Sequence, residues 1–363
     1  MLSGLLGSTK GSYIGLDIGA SHIKVIGLKN NQSSRPKLIG MAAVPTPRGS
    51  VSEGAVLDFN AVRNSITEAT DKAGLRLKNQ LVTIGLRGFH VIYKKIVIPS
   101  QEPVEMAEQI LREAQQQIDS DLNDWIIDHQ ILTEKDQQGQ VPVMLVAGRR
   151  SIIEDLRKLL IGVGAQPVIF DCDVFAVSNI HEHAQPPRPE NVLFVDIGKE
   201  STKTFLRGKT GAPTLVRTFA IGGQHLTELI AKAMSLDIEK SEVLKIATSQ
   251  SGSLFQDRAL ATAAKSHIEE ILSEIKQTID FYSSQNTADP NERINRVVLS
   301  GGAATTAGLA NALAQKFNAA VEFTDPFRSI EIPKRVKVPG DIQPHVFATS
   351  AGLALRYLGD KPD

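Results

Sequence analysis

The sequence predicts an α/β protein with two lobes, and three observations support this prediction. The chain has 363 residues, which exceeds the size at which one hydrophobic core is usual. An apolar strand followed by an acidic residue and a glycine turn occurs twice, at 13–24 and 191–203. Another apolar strand, 296–299, is followed by a pair of glycines. We therefore expect two lobes whose similar turns face each other across a ligand.

The first two turns have the composition of a phosphate-binding site. Their small and hydroxyl-bearing residues are Gly19, Ala20 and Ser21 in one turn and Gly198, Ser201 and Thr202 in the other. The backbone N–H groups of such turns can bind an anion, and the hydroxyl groups add donors. Asp17 and Asp196 precede the turns, and we expect them to hold Mg²⁺ directly or through water. A single Asp-x-Gly is also an ordinary turn, but its repetition favours phosphate binding.

The third turn completes the predicted ligand site. Gly301 and Gly302, followed by Ala303, let the backbone approach a planar or charged ligand closely. The segment 308–317 is predicted to be a helix whose N-terminus points at that ligand. We expect a nucleoside beside this turn.

The other elements follow from hydrophobic periodicity and from capping residues. A helix over 60–73 should end at Gly74, and another over 151–162 should begin with Ser151 as N-cap and Glu154 at the capping-box position. The remaining predicted elements are strands at 80–87, 89–98, 125–132 and 141–148, and helices at 104–118 and within 223–283.

The composition excludes several classes of protein. The 40 basic and 40 acidic residues balance, so there is no overall positive charge for nonspecific nucleic-acid binding. Cys172 is the only cysteine, which excludes a disulfide scaffold and favours a packing role. No apolar run approaches the roughly 18 residues that cross a bilayer, and residues 1–7 are too short for a signal-peptide core. We expect a cytoplasmic protein.

Taken in order, the two phosphate turns and the glycine pair resemble the actin-like ATPase superfamily. Two segments resemble its connecting helices, 170–180 and 347–356, where small residues such as Ala176 and Gly352 allow a close crossing. The pattern spans nearly the whole chain. The resemblance implies an actin-like, ribonuclease H-like fold that binds ATP with Mg²⁺.

Within this superfamily the sequence is most similar to the PilM family of type IV pilus assembly proteins. The similar segments are 14–25, 170–179 and 217–223, the last of which ends in Gly222 and Gly223 at the implied nucleotide site. The stretch 83–168 resembles the inserted 1C subdomain of FtsA and PilM proteins. The implied division is 10–82, 168–185 and 341–359 for subdomain 1A, 83–167 for 1C, 190–222 and 294–340 for 2A, and 223–293 for 2B.

The resemblance also implies roles for individual residues. Lys24 matches a lysine that reaches the phosphates in several relatives, and a structural salt bridge is the alternative. His22 replaces a small or hydroxyl residue and either donates to phosphate or points outward. Glu239 and Glu242 lie where relatives contact the ribose or base, although charged helix faces are usually only solvated.

A catalytic group is less clear. Asp171 and Asp173 are weak candidates, because they lie where hydrolytic relatives place a residue that orients water, and sequence cannot show whether they reach it. We therefore expect slow ATP hydrolysis at most. ATP would then act as a conformational ligand that favours the closed lobes.

The resemblance further implies partners. The protein is expected to bind the N-terminal cytoplasmic tail of PilN and to join PilO and PilP indirectly, peripheral to the inner membrane through these partners alone. The pilus motor ATPases and the platform protein are further implied contacts, and nucleic acid is not.

Two other functions share these motifs. An FtsA-like filament protein has the same subdomain plan, but residues 358–363 lack the amphipathic membrane helix usual at the end of FtsA proteins. Pelleting of polymers with ATP would support that alternative. A small-molecule kinase would need an acidic base between the lobes, and phosphoryl transfer to a small acceptor would support it.

Overall fold

The first lobe is built on a mixed five-stranded sheet. The computed structural model describes residues 12–29, 35–78, 80–100, 102–118, 120–133, 135–165, 168–185, 188–285, 293–340 and 342–359, so the opening residues 1–7 and the last four lie outside these ranges. The first elements of the lobe are β1 Ser12–Ile18, β2 His22–Lys29, β3 Lys37–Pro45, β4 Val51–Ser52, β5 Ala55–Val56, α1 Phe59–Ala73 and β6 Leu81–Leu86.

Local sequence signals set the ends of α1. The Asp58 side chain accepts a hydrogen bond from the Ala61 backbone N–H and so caps the N-terminus. Gly74 ends the helix in the left-handed conformation, with φ of 65°. The predicted helix and its glycine stop are confirmed.

An inserted unit follows the first sheet strands. Its elements are β7 Val91–Pro99, α2 Pro103–Gln117, β8 Trp125–Ile131, β9 Gln140–Arg149 and α3 Arg150–Gly162. Strands β7, β9 and β8 form a separate antiparallel sheet in that order, and α2 packs on one of its faces. The predicted cap of α3 is wrong, because β9 leads directly into a helix that starts at Arg150, with Arg149 at the N-cap position and no side-chain cap.

The chain then returns to the first lobe. β10 Val168–Cys172 pairs in parallel with β6, which completes the sheet order β10-β6-β1-β2-β3, and α4 Asp173–Ala184 follows. The connecting helix predicted from residue 170 therefore begins only at Asp173. The preceding residues are a strand because they complete the sheet beside β6.

The second lobe repeats the sheet plan. Its elements are β11 Val192–Ile197, β12 Thr202–Arg207, β13 Pro213–Phe219, α5 Gly223–Met234, α6 Ile238–Ser251, α7 Arg258–Gln285, β14 Arg296–Ser300, α8 Leu309–Phe317 and β15 Ala320–Phe323. The order β13-β12-β11-β14-β15 matches the order of the first sheet read from its other edge. Helix α9, Ala348–Gly359, then packs back on β1 and crosses α4.

Four hydrophobic cores accompany these elements. Two underlie the large sheets, one lies inside the inserted unit, and one lies among α5, α6 and α7. On this basis we propose the same four-part division as the sequence implied, with two changes. The insertion starts after Leu86, because β6 belongs to the first sheet. Helix α3 is assigned to the first lobe, because its apolar face packs into the core of that lobe.

Candidate functional site

The two predicted phosphate turns have the same local geometry. In the first, Gly19 N–H donates to the His22 carbonyl at 3.1 Å, and in the second, Gly198 N–H donates to the Ser201 carbonyl at 2.9 Å. Each turn connects the two strands of an antiparallel hairpin. In each hairpin an aspartate lies opposite the lysine seven residues later: Asp17 opposite Lys24, and Asp196 opposite Lys203. The repeat therefore includes a cation as well as a carboxylate.

Asp17 lies at the end of β1 and is only 2 % exposed. Lys24 Nζ lies 2.6 Å from its Oδ2, and the Arg87 guanidinium pairs with its Oδ1. Burial lowers the pKa of Lys24 to about 8, even though nearby carboxylates oppose this. Of the two roles open to Lys24 from sequence, the structure shows the salt bridge.

Asp196 has a different set of partners. Its Oδ1 accepts a hydrogen bond from Ser300 Oγ at 2.8 Å, and its Oδ2 lies 3.1 Å from Lys203 Nζ. Burial alone would raise the pKa of Asp196, but Lys203, Ser300 and Lys24 together lower it below its usual value. Asp196 is therefore held as a carboxylate at the end of β11.

The two catalytic candidates lie in different places. Asp173, the first residue of α4, pairs with Lys203 Nζ at 2.6 Å and so belongs to the charged cluster between the lobes. Asp171 lies beside Arg356 of α9, at 3.3 Å, and its Oδ1 accepts the Cys172 backbone N–H. The structure brings only Asp173 together with Asp196.

The third turn packs directly on the second. Gly301 has φ of 85°, and a Cβ on it would lie 2.3 Å from the Ile197 carbonyl oxygen, so a side chain does not fit there. Gly302 is exposed and has open space where its Cβ would be. Gly301 thus fixes the turn against β11, and the backbone of Gly302 is left exposed beside it.

Gly222 and Gly223 join this assembly from the start of α5. Gly223 N–H donates to the Gly198 carbonyl at 2.9 Å, and a Cβ on Gly223 would lie 3.0 Å from the Ala303 Cβ. A Cβ on Gly222 would lie 2.5 Å from the Lys199 carbonyl oxygen. The three glycine segments of the second lobe therefore form one continuous backbone surface.

Several predicted residues have other roles in the structure. Thr202 is fully buried and its hydroxyl donates to the Ile221 carbonyl at 2.5 Å, so the prediction that this hydroxyl binds phosphate is corrected. Ser21 is exposed and its Oγ lies 2.9 Å from His22 Nδ1. The N-terminus of α8 lies against Phe255, because a Cβ on Gly308 would be 3.1 Å from that ring. The Phe255 ring therefore packs against the residue that precedes α8.

The two glutamates of α6 that were predicted to contact the nucleotide have different surroundings. Glu242 accepts from Lys245 Nζ at 2.7 Å, and the same ammonium donates to the Gly223 carbonyl at 2.9 Å, so Glu242 lies near the glycine surface. Glu239 is at the exposed surface, where it pairs with Arg48 of the first lobe. A second contact between the lobes joins the Glu53 N–H to Glu200 Oε2 at 2.7 Å.

Three cations at this site, Arg87, Lys203 and Lys245, were not predicted from the sequence. Lys203 could have been found, because it follows Asp196 by the same seven residues that separate Asp17 from Lys24. Arg87 directly follows β6, which pairs in parallel with β1, so its position next to Asp17 depends on a strand pairing that the sequence does not state.

The charged cluster of Asp173, Asp196 and Lys203 includes one of the two predicted magnesium ligands. Among the described residues, no group of three or more His, Cys, Asp or Glu side chains is arranged to hold a metal ion. Carboxylate oxygens are the ligands that Mg²⁺ prefers, so the donor chemistry of Asp196 and Asp173 fits. These carboxylates now bind an ammonium group, which has to turn away before a metal can be coordinated.

Comparison with known proteins agrees with this geometry. A family model described as "Type IV pilus assembly protein PilM" matches residues 15–358. A solved PilM-PilN type IV pilus biogenesis complex is 27 % identical, covers 96 % of this chain and 99 % of that chain, and superposes with a TM-score of 0.82.

More distant relatives show the fold alone. The cell division protein FtsA of Streptococcus pneumoniae serotype 2 (strain D39 / NCTC 7466) is 22 % identical over 94 % of this chain and 80 % of its own length. MreB5 of Spiroplasma citri bound to AMPPNP is 12 % identical, covers 96 % and 97 % of the two chains, and has a TM-score of 0.55. The actin-like α/β fold predicted from the sequence is confirmed, and the chain belongs to the family of type IV pilus assembly protein PilM.

Proposed function

We propose that the protein binds ATP between its lobes and acts as the nucleotide-dependent adaptor of a type IV pilus assembly complex. The observation that carries the proposal is the convergence of the two matched turns with the continuous glycine surface of the second lobe. Exposed backbone at Gly302 suits a planar or charged group, and the nearby cations Lys24 and Lys203 suit phosphate oxygens. Nucleotide-bound relatives of the same fold support this assignment.

Mg²⁺ would accompany the phosphates, with Asp196 as a ligand; Asp17, the other ligand that the sequence predicts, is paired with both Lys24 and Arg87. Its contribution would be positive charge that offsets the phosphates. Asp173 is paired with a lysine, and an ion-paired carboxylate is a poor acceptor for a proton from water. We therefore propose slow hydrolysis at most, with ATP acting through its preference for closed lobes.

The proposed partner is the N-terminal cytoplasmic tail of PilN. Support comes from the family match and from the solved PilM-PilN complex, which this chain matches over nearly its full length. Within the described ranges, no helix combines the length and the apolar character needed to cross a membrane. We propose that the protein reaches the inner membrane, and PilO and PilP, through PilN, and passes its nucleotide state to the motor ATPases and the platform protein.

Isothermal titration with ATP tests the site. Gly302→Val places a branched side chain where a Cβ has no protein atom within 4 Å, so it should block a ligand there with little disturbance of the fold. We expect ATP affinity to fall at least about tenfold, or about 1.4 kcal/mol. The matched control is Gly340→Val, also exposed and without a neighbour within 4 Å, which should bind as the wild type does. Equal affinity in both variants would contradict this placement of the ligand.

A second titration tests the partner. A synthetic peptide of the PilN N-terminal tail is added to the wild type with and without ATP. Saturable binding supports the adaptor role, and a change of affinity with ATP shows that the two sites are coupled. Absence of binding in both states would refute the PilN proposal and leave ATP binding to be judged by the first titration.

The resemblance to FtsA over nearly the whole chain supports one alternative, a filament-forming scaffold. Sedimentation with and without ATP separates the two. Polymer that pellets only with ATP, together with no PilN binding, would favour the scaffold.

A further inference from the structure

Lys203 lies between carboxylates of both lobes. Its Nζ is 2.6 Å from Oδ2 of Asp173, at the start of α4, and 3.1 Å from Oδ2 of Asp196, at the end of β11. The side chains of Lys203 and Asp173 are 7 % and 2 % exposed. One buried ammonium therefore joins the first connecting helix to the second phosphate turn.

The contacts between the lobes differ strongly in burial. Arg48 and Glu239 are each 76 % exposed, and such pairs contribute about 0–1 kcal/mol. Lys203 and Asp173 are withdrawn from water, and removing one member of such a pair leaves a buried charge without compensation. Of these two ion pairs, the one through Lys203 therefore holds the lobes together more strongly, alongside the Arg207–Glu182 pair and the apolar core that both lobes share.

The two phosphate hairpins, alike in sequence, are not alike in charge. In the first, Asp17 faces both Lys24 and Arg87, so the group has a net charge of +1. In the second, Lys203 is shared by Asp173 and Asp196, so the group has a net charge of −1. Counted by direct ion pairs, carboxylates outnumber cations only in the second group, although Lys24 also acts on Asp196 from the first hairpin.

Two carboxylate oxygens that converge on one ammonium are also suitable ligands for a divalent cation. We propose that Lys203 is an internal cation that ties the lobes in the nucleotide-free protein, and that a divalent metal ion competes with it for Asp173 and Asp196. The inference rests on the proposed nucleotide site, since the metal would arrive there with the phosphates. This inference places the metal on Asp173 and Asp196, rather than on the pair Asp17 and Asp196 that the sequence predicts.

Mn²⁺ without nucleotide is the probe, with free Mn²⁺ measured by electron paramagnetic resonance. Lys203→Gln removes the competing charge, and we expect one Mn²⁺ site at least about tenfold tighter than in the wild type. The matched control is Lys24→Gln, which removes a cation that acts on Asp196 without pairing with it and leaves Lys203 in place, so it should gain clearly less affinity. Adding Asp173→Asn to Lys203→Gln should abolish the gain. An equal gain in both lysine variants, or none in Lys203→Gln, would overturn the competition.

Small-angle X-ray scattering tests the tie itself in a variant that keeps Lys203. Asp173→Asn preserves the side-chain volume and the Lys203–Asp196 pair, but it removes the negative charge with which the first lobe binds Lys203. We expect a larger radius of gyration than in the nucleotide-free wild type, and an unchanged value would refute the tie. Should Lys203→Gln fail to fold, this measurement decides the proposal.

The ATP titration of the wild type separates this inference from the proposed function. Tighter Mn²⁺ binding in Lys203→Gln, with no ATP binding in the wild type, would reject the nucleotide site and keep the lysine–metal competition. ATP binding without any gain in Mn²⁺ affinity would reject the competition and keep the nucleotide site.

Discussion

The two connecting helices approach each other closely at Gly352, and Gly352→Ala tests that contact. A Cβ on Gly352 of α9 would lie 1.9 Å from the Ala176 carbonyl oxygen of α4 and 2.4 Å from its carbonyl carbon. Ordinary contact begins near 3.4 Å, so the helices would have to separate by about 1.5 Å. On its other side α9 is fixed to β1, because a Cβ on Gly15 would be 1.9 Å from the Ser350 carbonyl oxygen.

The magnitude follows from two opposing effects. Overpacking a core costs about 1–3 kcal/mol, and the upper end applies because backbone atoms on both sides of α9 resist the shift. Replacing glycine by alanine in a helix returns about 1 kcal/mol. We expect Gly352→Ala to lower the free energy of unfolding by about 2 kcal/mol, measured by urea denaturation followed by far-ultraviolet circular dichroism.

Gly162→Ala is the matched control. Gly162 is the last residue of α3, and its Cβ would meet only the flexible Arg63 side chain at 3.9 Å. We expect it to be neutral or stabilising by up to about 1 kcal/mol. If Gly352→Ala were as stable as Gly162→Ala, the close crossing of α4 and α9 would be refuted.

Three further predictions concern other parts of the chain. Arg48→Ala should change the free energy of unfolding by less than about 1 kcal/mol, since Arg48 and Glu239 are both exposed, and a larger loss in urea denaturation would contradict this. Cys172 is buried and burial raises the pKa of its thiol, so a thiol reagent should label it only after unfolding, and rapid labelling of the folded protein would be inconsistent. Burial, together with His225, lowers the pKa of His267 to about 4, so the unfolded chain binds the extra proton and stability should rise between about pH 4 and about 6.5, by up to about 3 kcal/mol. His267→Asn should flatten that rise in urea denaturation at several pH values, and an unchanged slope would count against it.

The elements that sequence predicted well are those with local causes. The two hairpin turns, the strand before Gly301 and the stop of α1 at Gly74 depend on nearby apolar runs and on glycine conformation. Such signals lie within about ten residues of the feature that they specify. They were sufficient to predict the positions of the three turns, whose order carried the resemblance to the actin-like superfamily.

The errors have long-range causes. The strand that ends at Cys172 was predicted as helix, because its parallel pairing with β6 joins segments about 85 residues apart. The Ser151 capping box matched a common motif, but continuous pairing of β9 through Arg149 left the helix to start earlier. Arg87 meets Asp17 only because β1 and β6 are parallel neighbours.

The shared plan of the lobes explains why the site is asymmetric. Both sheets place an antiparallel hairpin beside a parallel strand, β6 next to β1 and β14 next to β11. The residues that supply the second partner of each aspartate are not at equivalent positions. Ser300, the last residue of β14, lies directly opposite Asp196 and donates a hydrogen bond without bringing a charge. In the first lobe the register that places Ile84 opposite Leu16 makes Gly85 the counterpart of Ser300, and Asp17 is instead reached by the guanidinium of Arg87, just after β6. The same sheet plan therefore gives Asp17 two cations and leaves Asp196 with a hydroxyl and a lysine that it shares with Asp173 of α4.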